Sequence, residues 1–331
     1  MSQIRRTRRT RRRLVVPVSL GVVGLATLAA CGGDDASAKV EIPHVFDLAH
    51  DPTSAIPDVD PAARVDLMPA DLLRSRLEKE LTWHGITLVQ VMRAAHEGDG
   101  SLDAWVSELT TNTDDLTAAI GVVFGRDEAF AFNQQWAQHT QFLVDYAVAI
   151  ANGDDDGAAE ARAKLEAYAT DSGSFFATAT DGGLPADSVR GLLSTHIDHM
   201  LSMIDAIDHG DTTAALDASL DDNTYLATIA QGLASAFSAT DDDAFPGSID
   251  TPEAVYCSLV TTETGNYLLR ELFDPAGDAN ARVAFETATG ATFDEVLGVI
   301  DQLQSEDPTL VTQTADLALE RAFEHARPSG G

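Results

Sequence analysis

The sequence predicts an all-α protein: a bundle or short array of three helical hairpins, six helices in all, followed by a C-terminal helical cap. Three observations predict it. A histidine stands fourteen residues before a Gly-Asp pair three times, at His84 to Gly98-Asp99, His139 to Gly153-Asp154 and His196 to Gly210-Asp211. Around each histidine the positions −3, +4, +7 and +11 are apolar: Leu81, Leu88, Val91 and Ala95, then Trp136, Leu143, Tyr146 and Ile150, then Leu193, Met200, Met203 and Ile207. Such spacing is one face of an α-helix. Each Gly follows the last apolar turn, where the left-handed conformation it tolerates ends a helix.

In chain order, Arg5 to Arg13 forms a basic region, Leu14 to Leu25 an apolar one, and Leu28-Ala29-Ala30-Cys31 a run of small residues. That succession is an export signal, and its apolar stretch falls short of the roughly 20 residues of a membrane span. It resembles a bacterial lipoprotein signal, whose lipobox ends in the cysteine that carries the lipid. The resemblance implies removal of residues 1–30, lipid attachment at Cys31, and display on the extracytoplasmic face of the cell membrane. Thr10-Arg11-Arg12-Arg13-Leu14-Val15 also resembles a twin-arginine export motif, which leaves the export route open.

Residues 31–66 carry Pro43, Pro52, Pro57 and Pro61 with little periodicity and read as a flexible tether. His44 and His50 have no partners there at ligand spacing. Residues 67–245 form the three-hairpin domain. Met68-Pro69-Ala70-Asp71 opens its first copy and Leu184-Pro185-Ala186-Asp187 its third, with Pro suited to a first helical turn and Asp to the helix dipole. Arg74 and Arg190 follow at matching distance. After each Gly-Asp a second helix repeats more weakly, as Leu109, Asn112, Leu116, then Tyr168, Asp171, Phe175, then Leu220, Asn223, Ala227. Phe124-Gly125 and Gly182-Gly183 punctuate the joins. One hairpin cannot bury its apolar face alone, so three pack together.

Residues 246–331 lose the histidine pattern and form a cap or a small domain. Thr251-Pro252-Glu253 starts a helix reaching Phe273, Asp274-Pro275 ends it, and Phe293 to Leu303 and Leu310 to Phe323 make two more.

The charge excludes some partners. The formal net charge is −32, and the first thirty residues hold seven of the 21 basic groups and none of the 53 acidic ones. A field of that sign repels nucleic acid. Runs such as Asp154-Asp155-Asp156 and Asp241-Asp242-Asp243 read as solvated loops. Besides Cys31 the chain has only Cys257, so lipidation leaves no intramolecular disulfide, and Cys257 reads as a buried small apolar residue.

The repeated polar residues are the site candidates. Each histidine lies on an apolar seam, and a buried imidazole needs a hydrogen-bond partner. The second helices offer one, which pairs His84 with Asn112, His139 with Asp171 and His196 with Asn223 as ties within each hairpin. The alternative is a metal. His196, His199, Met200 and Met203 fall at i, i+3, i+4 and i+7, a stripe of imidazole and thioether that suits copper, the reduced ion above all. Methionine filling a core gap also accounts for Met200 and Met203. His209 before Gly210 suits a helix C-terminus, Met92 and His96 form a lone i, i+4 pair, and His325 reads as solvated. No nucleophile elbow, phosphate loop, dinucleotide turn, His-Glu-x-x-His or paired Glu-x-x-His occurs, so no catalytic motif marks an enzyme.

Leu81-Thr82-Trp83-His84, the Asn112-bearing second helix and the later histidine helices resemble a group of uncharacterised secreted bacterial helical repeat proteins over about residues 70 to 240. The resemblance implies an all-helical fold and no particular activity. Tyr225 stands where it would place a further histidine. The expectation is a lipid-anchored envelope protein that binds a ligand or a protein partner, with copper or another transition metal as the alternative cargo.

Overall fold

Each helix start is set by a residue suited to it. Pro69 (ψ 145°) precedes α1, Ala70–Glu97, and Pro185 precedes α5, Ala186–Asp208. Asp154 caps α4, Asp155–Ala179, by accepting from the Gly157 N–H, and Asp211 caps α6, Thr212–Thr240, by accepting from the Ala214 N–H. The repeated Gly-Asp pair thus has two functions: the glycine at φ 63° or 71° turns the chain, and the aspartate opens the next helix. Between α2, Leu102–Phe124, and α3, Arg126–Ala151, only Gly125 intervenes. Thr251 caps α7, Pro252–Phe273, and α8 is Asp278–Thr289.

The computed structural model describes residues 68–274 and 277–290 together with Val40, Thr53 and Thr292. The protein is all-helical there, with eight helices and no strand among the described residues. The export signal, Cys31, His44, His50, His325 and the two helices expected within 293–323 lie outside them. Among the described residues no helix is long and apolar enough to cross a membrane.

Helix α1 occupies the centre, packing against α2, α3, α5, α6 and α7. Consecutive helices from α1 to α6 touch in turn, and α6 returns to α1. Inside that ring α1, α3 and α5 also touch one another. These are the three helices that carry the repeated histidines, so the apolar seams around His84, His139 and His196 share one interior. Leu81, Leu88, Leu143, Met200 and Met203 are buried in its core.

Three expectations change. Asp155 and Asp156 are not loop residues but the first turn of α4, where carboxylates complement the helix dipole. The segment expected as a tether meets the helical body at two points: Val40 exchanges two 2.8 Å hydrogen bonds with the Asn152 side chain, and the Thr53 carbonyl accepts from Arg126. Helix α8 was not foreseen, because its segment offers little apolar periodicity. Ala281 and Phe285, four residues apart, supply its buried contacts, and Tyr256 of α7 donates to the Thr289 carbonyl.

Candidate metal centre

Three imidazoles from three helices meet in the centre of the bundle. His84, His139 and His196 are 0%, 1% and 3% exposed. The His84 ring centroid lies 5.5 Å from that of His139 and 6.1 Å from that of His196. One nitrogen from each ring falls within 4.8 Å of the others, whereas nitrogens on one tetrahedral ion at ~2.05 Å stand about 3.4 Å apart, so closure needs at most about 1.4 Å of ring movement.

The rings are held from outside. Trp136 sits 4.6 Å from both His84 and His139, and Tyr168 stacks on His139 at 4.6 Å with 12° between planes. Asp222, 1% exposed on α6, accepts from His196 Nδ1 at 2.7 Å. That bond fixes the tautomer and turns the bare Nε2 of His196 to the remaining side of its ring. Half-buried His199 approaches the same Asp222 oxygen at 3.4 Å, an ion-pair separation without an aligned hydrogen bond, and Tyr225 stands edge-on to it at 5.6 Å.

Several buried polar atoms have no partner among the described residues: both nitrogens of His84, Nδ1 of His139, Nε2 of His196 and Nε1 of Trp136. Leaving a buried donor or acceptor unpaired costs about 1–3 kcal/mol. Four such ring nitrogens in one cluster call for a ligand.

Burial disfavours a positive charge on His84 and His139. Burial pushes the His84 pKa well below its ordinary value, and the charges His139 and His196 would carry add to this; Asp222 and Asn112 oppose it weakly. Burial, then proximity to His196, lowers His139 to about 3, against a small opposing effect of the Trp136 carbonyl. Asp222 is held below the usual carboxylate range: burial alone would raise it, but the attraction and hydrogen bond of His196, with the approach of His199, outweigh burial. The same carboxylate raises His199. Metal ligation requires unprotonated ring nitrogens, and the displacement of His84 and His139 suits it.

The expected ties are corrected in the second and third hairpins. Asn112 is buried as expected, but its Nδ2 donates to the Glu80 carbonyl at 2.9 Å and to Glu80 Oε2 at 3.1 Å, one turn before His84, and no aligned bond reaches the ring. Asp171 is exposed, because the buried face of α4 runs through Ala169, Ser172 and Phe176. On α6 that face runs through Ser219, Asp222 and Leu226, so His196 pairs with Asp222, while Asn223 reaches α7 through the Thr262 carbonyl and Asn266 Oδ1. In both helices the inner position is shifted by one residue, about 100° around the helix, from the expected register. Of the expected metal stripe, His196 joins the cluster, His199 stands behind Asp222, and Met200 and Met203 lie fully buried in the apolar core. Elsewhere His96 meets Asp208 at 3.1 Å, and His209 ends α5 with Nδ1 2.6 Å from the Asp205 carbonyl, as a C-terminal histidine should. Cys257 is buried beside Val260.

Beside the cluster a cavity of about 40 Å³ is walled by His139, His196, Trp136 and apolar residues that include Leu193, Val189 and Ile229. Compared with known proteins, the chain matches no family model, no curated protein and no solved structure, so no enzyme family is among its matches.

Proposed function

We propose that this is a lipid-anchored, extracytoplasmic metal-binding protein whose His84, His139 and His196 together hold one transition-metal ion. The arrangement we have in mind is a three-hairpin domain, α1 to α6, with α7 and α8 as part of its cap and Cys31 as the membrane anchor. The observation that carries the reading is the convergence of three buried rings with four unpartnered nitrogens on a shared centre. Charge favours copper in its reduced form. A metal-bound imidazole brings no charge, so Asp222, bonded to the ligand His196, is the carboxylate that faces the ion's charge, and one carboxylate matches one positive charge in a site where excess charge is costly. Imidazole suits both copper and zinc, so the charge count separates them.

The second reading keeps the rings as structural ties within an envelope binding protein. The His196 to Asp222 bond and the His139 to Tyr168 stack favour it locally, but it leaves both nitrogens of His84 unexplained. Competition titration of the purified full-length chain with Cu(I), Cu(II) and Zn(II) separates the two. The metal reading requires one ion per chain, with Cu(I) held more tightly than Zn(II), and loss of binding in His84→Phe, His139→Phe and His196→Phe but not in Met203→Leu. Structural ties predict no stoichiometric binding of any of them.

A further inference from the structure

Three side chains at the centre offer three ligand nitrogens, and two of those residues also line the cavity beside it. His139 and His196 form part of that cavity's wall, and the remainder is Trp136 with leucine, valine, isoleucine and phenylalanine. Its volume of about 40 Å³ holds roughly three water-sized atoms. Water is a poor occupant of an apolar space of this kind, because an ordered water needs two to four polar partners. One polar group other than the imidazoles does line it: Trp136, 8% exposed, whose Nε1–H has no partner among the described residues.

Resting on the metal reading above, we propose that the cavity is the pocket for an exchangeable fourth ligand of the ion. The chemistry of the walls defines that ligand. It is an uncharged molecule of two or three heavy atoms, of the size and character of a diatomic gas, that binds the ion through a lone pair and accepts a hydrogen bond from Trp136. Anions and larger organic molecules are excluded, the first by the apolar lining and the second by volume. The ion stays three-coordinate without the ligand, and the ligand's binding changes no oxidation state.

Carbon monoxide tests this directly, since its stretching band reports coordination to Cu(I). The full-length chain is loaded with Cu(I), exposed to carbon monoxide and followed by infrared spectroscopy. One adduct per copper is expected. Val189→Phe and Ile229→Phe, which fill the cavity from α5 and from α6, should keep Cu(I) affinity within a few-fold while weakening carbon monoxide binding at least tenfold. Leu193→Ala should admit tert-butyl isocyanide, which the unaltered chain rejects, and Trp136→Phe should shift the stretch upward by removing the donor. Bound Cu(I) with no adduct, or an adduct indifferent to both cavity-filling variants, overturns the inference and leaves the metal site standing. Failure to bind Cu(I) overturns the site reading and the inference with it.

Discussion

Lowering the pH from 6.5 to 5.5 should destabilise the metal-free protein through the buried histidines. A histidine whose folded pKa lies below its ordinary value takes up its proton first in the unfolded chain, so acid favours unfolding. Both His84 and His139 are displaced in that direction, His139 to about 3. Across this interval each removes about 1 kcal/mol, or about 2 kcal/mol together, and the loss continues toward the folded pKa values at about 1.4 kcal/mol per unit for each ring. His199 acts oppositely: its pKa is raised, so its stabilisation is fully present below the unfolded value and is lost as pH rises through the folded one. It offsets part of the loss, and the comparison is cleanest in a His199→Gln background. Carboxylates with depressed pKa values contribute little here, because their unfolded values lie below the interval, while Glu78 and Asp115, raised by burial, act in the same sense as His199. Urea melts at half-unit steps from pH 7.5 to 5.0, in the presence of a chelator, measure the slope. His84→Phe with His139→Phe should flatten it while keeping or raising stability at pH 7.5, since the pair removes unpartnered polar atoms from the core. Equal slopes with and without the two rings would refute the reasoning.

The other predictions concern the carboxylate behind the site, one helix contact and the anchor. Asp222→Asn removes the charge that orients His196 and should lower metal affinity about 10–100-fold in the same titration. Gly173→Ala places a Cβ 2.5 Å from the Ala186 carbonyl, where α4 meets the start of α5; backbone has to move, and thermal or urea unfolding should show a loss of about 1–3 kcal/mol. Cys31→Ala should abolish incorporation of labelled fatty acid and release the protein from the membrane fraction.

Helical periodicity made most of the fold legible. Apolar residues at −3, +4, +7 and +11 identify the inner face of α1, α3 and α5 without ambiguity, because side chains on those turns are large and regularly spaced. Helix α7 was equally plain, since Thr251-Pro252 carries both a cap and a first-turn proline. The second arms were not: α4 and α6 are rich in alanine, serine and threonine, whose small side chains leave the buried face undetermined to within one residue. That slip moved the partner of His196 from Asp222 to Asn223. The match of Arg74 with Arg190 failed for a related reason. Arg74 is buried against Glu78 and Asp250, the latter contributed from beyond the repeat, whereas Arg190 is exposed beside Asp187.

Convergence of the three histidines was within reach of the sequence but needed one further step. Equivalent positions on three helices that share an interior must approach one another at equal depth along the bundle, which the constant fourteen-residue distance to Gly-Asp already implies. The rings meet one another across the hairpins rather than finding their partners within them. The unfilled hydrogen-bonding capacity of the rings, in contrast, depends on where every neighbouring donor ends up, and only the folded chain supplies it.

Anomalous diffraction from crystals of the copper-loaded protein tests the central claim most directly. The account predicts one strong peak within bonding distance of a nitrogen from each of His84, His139 and His196, with Asp222 behind His196. A peak seated instead among His199, Met200 and Met203, or no peak at the centre of the three rings, would contradict it.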